Sequence, residues 1–113
     1  MAETIFSKII DRQIPADIVY EDEWCLGMKD INPQAPVHVL LIPKKPIDML
    51  SNAQPDDQAL LGHMLLAVGK ITRELRVDGA FRLVVNNGRE SGQTVFHLHM
   101  HILAGRPLRW PPG

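Results

Sequence analysis

His97, His99 and His101 occupy every second position of the run Val95-Phe96-His97-Leu98-His99-Met100-His101-Ile102-Leu103. Successive side chains of a β-strand point to opposite faces. The spacing therefore predicts a strand over residues 95–104, with the three imidazoles on one face and Phe96, Leu98, Met100 and Ile102 on the other. One face then walls the core. The other carries a row of nitrogens whose ordinary pKa, about 6.5, lets them act near neutral pH as nucleophile, acid, base or metal ligand. Packing alone rarely places three histidines in strict alternation, so this strand is the candidate seat of chemistry.

The rest of the chain has to supply partners for that strand. Thr4 suits the N-cap of a short helix whose Ile5, Phe6, Ile9 and Ile10 form an apolar face before Pro15 interrupts it. Residues 17–20 and 24–28 suit two strands around a turn at Glu21-Asp22-Glu23. Asn32-Pro33-Gln34-Ala35-Pro36 reads as a loop, and residues 37–43 as a buried strand closed by Pro43 and Lys44-Lys45-Pro46. One long helix should begin near Pro55, where Asp56 and Asp57 favour the positive end of the helix dipole. Its buried stripe is Leu60, Met64, Ala67, Val68, Ile71 and Leu75, and Asp78-Gly79 should stop it. A strand over residues 81–86 and the loop 87–94 lead into the histidine strand.

Five strands, one long helix and short connections predict an α+β fold, with a five-stranded antiparallel sheet and the long helix on one face. Leu98 and Met100 should pack beneath that helix, leaving the histidines to face solvent or a ligand. Residues 1–113 read as one domain, with 104–113 as a C-terminal tail. The hydrophobic share of 45% and charged share of 22% are those of a globular chain, and a net charge of -1 argues against a grip on long nucleic acids. The basic clusters Lys44-Lys45 and 106–109 are short. A single cysteine, Cys25, excludes an internal disulfide. No apolar run approaches the roughly 20 residues of a membrane span, and Met1-Ala2-Glu3-Thr4 does not begin like a secretory leader. The expectation is a soluble protein of the cytoplasm, or in a eukaryote also of the nucleus.

Around the histidines, Gly88, Ser91, Gly92 and Thr94 compose a loop able to cradle a phosphate, although Gly/Ser loops are common. Asn86 and Asn87 are either further amide donors or part of an ordinary Asn-Asn-Gly turn. His38, between Val37 and Val39, projects opposite those valines, either beside the triplet or bonded to a backbone carbonyl. Asp30 caps a turn or accepts hydrogen bonds from the vicinal hydroxyls of a sugar. His63 has no evident partner and reads as structural or exposed; Cys25, Trp24 and the methionines read as core.

His97-Leu98-His99-Met100-His101-Ile102-Leu103 resembles the histidine-triad signature of the HIT superfamily. Ile5-Phe6-Ser7-Lys8-Ile9-Ile10, Asp30-Ile31-Asn32-Pro33-Gln34-Ala35-Pro36-Val37-His38, Ile42-Pro43-Lys44-Lys45 and Trp110-Pro111-Pro112-Gly113 extend the likeness over essentially the whole chain, toward the Hint branch of nucleotide-binding proteins. The resemblance implies a purine nucleoside phosphoramidase that works through a nucleotidyl-histidine intermediate and a homodimer whose sheets join into one. It implies His99 as nucleophile, His101 at the phosphate, and His97 and His38 orienting the nucleophile. Asn86, Gly92, Gln93 and Thr94 would lie at the phosphate and leaving group, and Asp30 at the ribose. Phe6, Ile9, Met28 and Ile31 would surround the base, with Met28 where the family often has an aromatic residue. Thr94 or a protonated histidine would relay the proton that the amine needs.

Two rivals use the same residues. A zinc hydrolase would take His-x-His and His38 as ligands, but the triplet loop offers no evident carboxylate base. A non-enzymatic nucleotide sensor would bind without turnover. The expectation is an enzyme with no metal and no cofactor.

Overall fold

The described chain opens with helix α1 (Ile5–Ile10), started by a capping box. The Thr4 hydroxyl accepts the Ser7 amide, while the Ser7 hydroxyl oxygen accepts the Thr4 amide at 2.8 Å. Five strands follow: β1 (Ile18–Glu21), β2 (Cys25–Lys29), β3 (Val37–Pro43), β4 (Phe81–Val84) and β5 (Met100–Ala104). They form one antiparallel sheet in the order β1-β2-β3-β5-β4. Helix α2 (Gln58–Glu74) crosses one face. The expected α+β architecture is the observed one. The computed structural model describes residues 3–113, so Met1 and Ala2, on which the leader reading begins, lie outside the described residues. No helix among the described residues is long and apolar enough to cross a membrane.

Alternation along the strands makes two cores. Met64, Ala67, Val68 and Ile71 of α2 bury against Cys25, Val39, Leu41, Met100 and Ile102. On the opposite face Phe6 and Ile9 of α1 pack on Leu26, Met28, Leu40 and Ile42. Each fully buried aliphatic side chain contributes roughly 1.5–3 kcal/mol, which is what holds so short a helix as α1 against the sheet. Leu60 and Leu75, expected in the α2 stripe, are only partly buried at its ends.

Several boundaries differ from the sequence expectation. The histidine strand begins at Met100 rather than residue 95, because pairing stops there on both sides, although β3 itself runs on to Pro43 against β2. β3 pairs with β5 only as far as Leu41 opposite Met100, and β4 ends at Val84 opposite His101. Without a ladder to join, the chain upstream bonds elsewhere, and the Leu98 amide donates to the Ile47 carbonyl at 2.6 Å. His97 and His99 thus precede the strand, and Phe96, expected in the core wall, is 37% exposed. Pro55 to Asp57 form a 3-10 turn before α2. The helix stops at Glu74, ahead of Asp78-Gly79, because Arg76 takes a left-handed conformation at φ 60°. There the Val77 amide bonds to the Thr72 carbonyl and the Arg76 amide to that of Arg73, a Schellman cap built without glycine.

The β1–β2 turn hangs on Asp22. Its Oδ1 accepts the amides of Trp24 and Cys25 at 2.8 and 2.9 Å, and its Oδ2 accepts the Tyr20 hydroxyl at 2.7 Å. The same Oδ2 lies 2.6 Å from His63 Nε2 on α2. Burial opposes charge on Asp22, but these hydrogen bonds outweigh it and hold the carboxyl well below the usual range. His63 therefore has a partner the sequence did not reveal. Trp24 lies outside the core, 40% exposed and stacked on the His63 ring.

At the other end of β5, Gly105 turns the chain toward its tail at φ 95°, and a Cβ there would sit 2.8 Å from Pro36 Cβ. Arg106 then donates to the Gln34 carbonyl. Replacing Gly105 with Ala should cost about 1–3 kcal/mol through backbone strain and this overlap. Urea denaturation measures it, and unchanged stability would contradict the argument.

Candidate active site

Each histidine of the triplet meets a different backbone environment, and the environments fix which ring nitrogen carries the proton. A carbonyl can only accept. His97 therefore donates from Nε2 to the Pro43 carbonyl at 2.7 Å, and His99 donates from Nδ1 to the His97 carbonyl at 2.8 Å. In the neutral ring this leaves His99 Nε2 with a free lone pair. Phe6 packs edge-on to the His99 ring, with centroids 5.0 Å apart, and to His97 at 6.2 Å, so α1 holds both rings in place.

His38 and His101 form a second chain of bonds. Strand register puts His38 opposite Leu103 and Leu40 opposite His101, so the two histidines meet diagonally on the face away from α2. The Gln34 amide donates to His38 Nδ1 at 3.0 Å. The neutral His38 ring must then carry its proton on Nε2, which lies 2.9 Å from His101 Nδ1 and 3.4 Å from Asp30 Oδ2. With its Nδ1 accepting, His101 keeps a proton on Nε2 and presents a donor. Its ring centroid is 5.0 Å from that of His99. A nucleophilic nitrogen and a hydrogen-bond donor therefore lie side by side.

Burial keeps these rings neutral. Desolvation lowers the pKa of His97, His99 and His38 below the ordinary value, although the bonds to Pro43 and His97 and the charge of Asp30 pull the other way. His101 falls to about 4, through desolvation and then its neighbours His99 and His38. Neutral rings are what the proton assignments require.

Beside the histidines is an apolar cavity of about 160 Å³ between α1 and the start of the 30–36 loop. Phe6, Ile9, Met28, Asp30 and Ile31, five residues expected at a nucleoside, all line it together with Leu40. Phe6 and Asp30 join it to the histidine group, Phe6 through His99 and Asp30 through His38. Ile31 is 97% exposed at its rim. Asp30 Oδ1 accepts the Asn32 amide at 2.7 Å, the turn-capping bond that was one of the two expectations for this carboxylate.

The loop ahead of the histidines is rigidly built. Gly88 and Gly92 take φ values of 88° and 107°, and the Asn86 side-chain amide lies against Gly92. Gln93 is buried. Its Nε2 donates to the carbonyls of Asp48 and Val95 at 2.8 and 3.0 Å, and its Oε1 accepts the Gly88 amide at 2.8 Å. Gln93 therefore staples the loop and has no side-chain hydrogen left for a ligand. Ser91 likewise donates to carbonyls of its own loop. Thr94 is exposed. The roles of the Gln34 amide and the Pro43 carbonyl had no signal in the sequence, because backbone groups leave no residue pattern.

Asp30, His38 and His101 also bring ligand-type atoms within 4.8 Å of one another. Two of those nitrogens already bond to each other, and His38 Nδ1 is taken by Gln34. The zinc-hydrolase reading called for a His-x-His pair alongside His38, and of the triplet only His101 belongs to this group.

Comparison with known proteins gives one answer. The HIT domain model matches residues 11–108. An uncharacterized HIT-like protein of Synechocystis is 68% identical over 114 residues, covering 100% of both chains. Among solved structures, a HIT family hydrolase from Legionella pneumophila is 41% identical with a TM-score of 0.96, over 98% of this chain and 100% of that one. A histidine triad nucleotide-binding protein from Candida albicans is 34% identical with a TM-score of 0.83, over 96% of this chain and 83% of that one. The chain belongs to the HIT family.

Proposed function

We propose that this protein hydrolyses nucleoside 5′-phosphoramidates of the purine, adenosine type to a nucleoside monophosphate and an amine. The observation that carries the reading is a His99 ring with a bare Nε2 and a His101 ring with a protonated Nε2, their centroids 5.0 Å apart, joined through Phe6 and Asp30 to a mainly apolar cavity. A hydrolase and a nucleotide-binding protein among the structural neighbours support the same class.

In the first step the His99 lone pair attacks phosphorus. The new nitrogen–phosphorus bond replaces the bond to the leaving amine, which departs with a proton drawn from solvent through the Thr94 hydroxyl. Water then attacks the nucleotidyl-histidine and gives its proton back to solvent as the His99–phosphorus bond breaks and the neutral ring is restored. A neutral imidazole needs no prior deprotonation, so the reaction calls for neither a metal nor a cofactor. His101 donates to the phosphoryl oxygen as charge develops, and His38 holds it in that tautomer. Asn86, Gly92 and the backbone of Gln93 supply further donors. The purine lies in the apolar cavity among Phe6, Ile9, Met28 and Ile31, and the Asp30 carboxylate accepts the ribose hydroxyls. The Phe6, Ile9, Met28 and Leu40 side chains hold the base by shape and dispersion, and Asp17 and Lys29 are the polar groups on the same cavity that a base edge would meet.

We further propose a homodimer formed along β4. It is an edge strand of the sheet, and Phe81 on it is 37% exposed. The tail after β5 leaves Trp110 81% exposed, a large indole for a second copy to cover.

Adenosine 5′-phosphoramidate tests the activity. His99→Ala should abolish turnover while adenosine monophosphate still binds. His101→Ala should lower kcat by about two to three powers of ten, as loss of a charge-stabilising donor does. Comparable turnover by the His99→Ala protein would overturn the assignment.

The acid limb of the rate profile follows from burial. Protonation of His99 at Nε2 removes the nucleophile, and the folded-state pKa of this ring lies below the ordinary histidine value. The midpoint of the acid limb of kcat/KM should therefore lie below about pH 6.5. A limb at or above that value would contradict the burial argument.

A further inference from the structure

A second group of ligating side chains lies outside the histidine site, where the β1–β2 turn meets α2. Asp22, Cys25 and His63 each offer one ligand-type atom there, all within 4.8 Å of one another. Three separate parts of the chain converge: a turn, the first residue of β2 and the middle of α2. Cys25 is fully buried and packs in the core beneath α2, so the group belongs to the sheet face opposite the one Phe6 and α1 cover.

We propose that Asp22, Cys25 and His63 form a binding site for a zinc-like divalent transition ion that ties the β1–β2 hairpin to α2. Thiolate, imidazole and carboxylate are the mixed donor set of a borderline-soft ion. Bond lengths of about 2.0–2.3 Å imply tetrahedral edges of roughly 3.3–3.6 Å. Asp22 Oδ2, the oxygen that faces His63, is 3.8 Å from the Cys25 sulfur. His63 Nε2, at 2.6 Å from Asp22 Oδ2, has to swing outward by several tenths of an ångström. Its side chain is 31% exposed and that of Asp22 25%, so there is room for the swing and for a water as fourth ligand. Binding releases the thiol proton to solvent, and the sulfur lone pair goes to the ion.

The surroundings are those of a prepared site. The Tyr20 hydroxyl and the amides of Trp24 and Cys25 fix the carboxylate in place, as outer-shell partners do around a metal. Trp24 stacks on the imidazole, with centroids 4.8 Å apart and planes at 28°, which restricts the His63 ring to small displacements in its own plane. None of these residues touches the histidine triplet or the apolar cavity in the interactions described above, so the ion would act on stability rather than on the reaction.

Cobalt(II) added to the metal-free full chain tests this site selectively, because a thiolate-to-cobalt charge-transfer band can come only from Cys25, the chain's one cysteine. The expected result is that band at one equivalent of cobalt, together with a higher thermal midpoint in zinc. Cys25→Ser should lose the band. His63→Gln, changed on a partly exposed flank of the helix, should fold normally and bind cobalt at least about tenfold more weakly. No charge-transfer band in the wild-type protein would overturn the proposal. So would equal cobalt affinity, or an equal zinc-induced rise in thermal midpoint, in wild type and His63→Gln.

Discussion

The hydrogen bond from His99 Nδ1 to the His97 carbonyl is the interaction on which the candidate site depends. It exists because the sheet gives out. A regular strand through residue 97 would spend that carbonyl on a neighbouring strand, but pairing with β3 stops at Met100 and pairing with β4 at His101. The Pro43 carbonyl is similarly left for His97. Backbone acceptors that a ladder would have used set the proton positions of two imidazoles instead. A third backbone group, the Gln34 amide, sets His38 and through it His101.

Neutrality of the rings is the second requirement, and the packing of the two sheet faces supplies it. α2 seals one face with aliphatic side chains, while α1 only half covers the other. Phe6 serves both purposes there, burying against Met28 and Leu40 and packing on His99. The short helix is thus a wall of the apolar cavity and, through Phe6, the cover that desolvates the His99 ring. An imidazole in water shares its lone pair with solvent and protons. Under Phe6 that of His99 does so less.

The sequence made the architecture legible because its local signals are strong: the stripe of α2, the apolar run of β3 and the N-cap at Thr4 all appear where expected. It misled where tertiary contacts override local pattern. Alternation of His97, His99 and His101 looks like strand, yet only His101 lies in one, since pairing partners and not side-chain period decide where a ladder ends. The left-handed Arg76 ends α2 before the glycine that seemed to mark the stop. Among site residues, Phe6, Ile9, Met28, Asp30 and Ile31 were reached by resemblance, and they do share a cavity. The Gln93 side chain is consumed in holding the loop, a role that no local pattern announces. The pairing of His63 with Asp22 spans 41 positions and no local rule could suggest it.

The central claim is that His99 Nε2 forms a bond to phosphorus. Turnover quenched in alkali, where a phosphorus–nitrogen bond to histidine survives, followed by intact-mass and peptide analysis, tests it most directly. The account predicts a nucleotidyl adduct that forms and decays at rates matching turnover and maps to His99. No adduct during active turnover, or an adduct on His97 or His101, would contradict it.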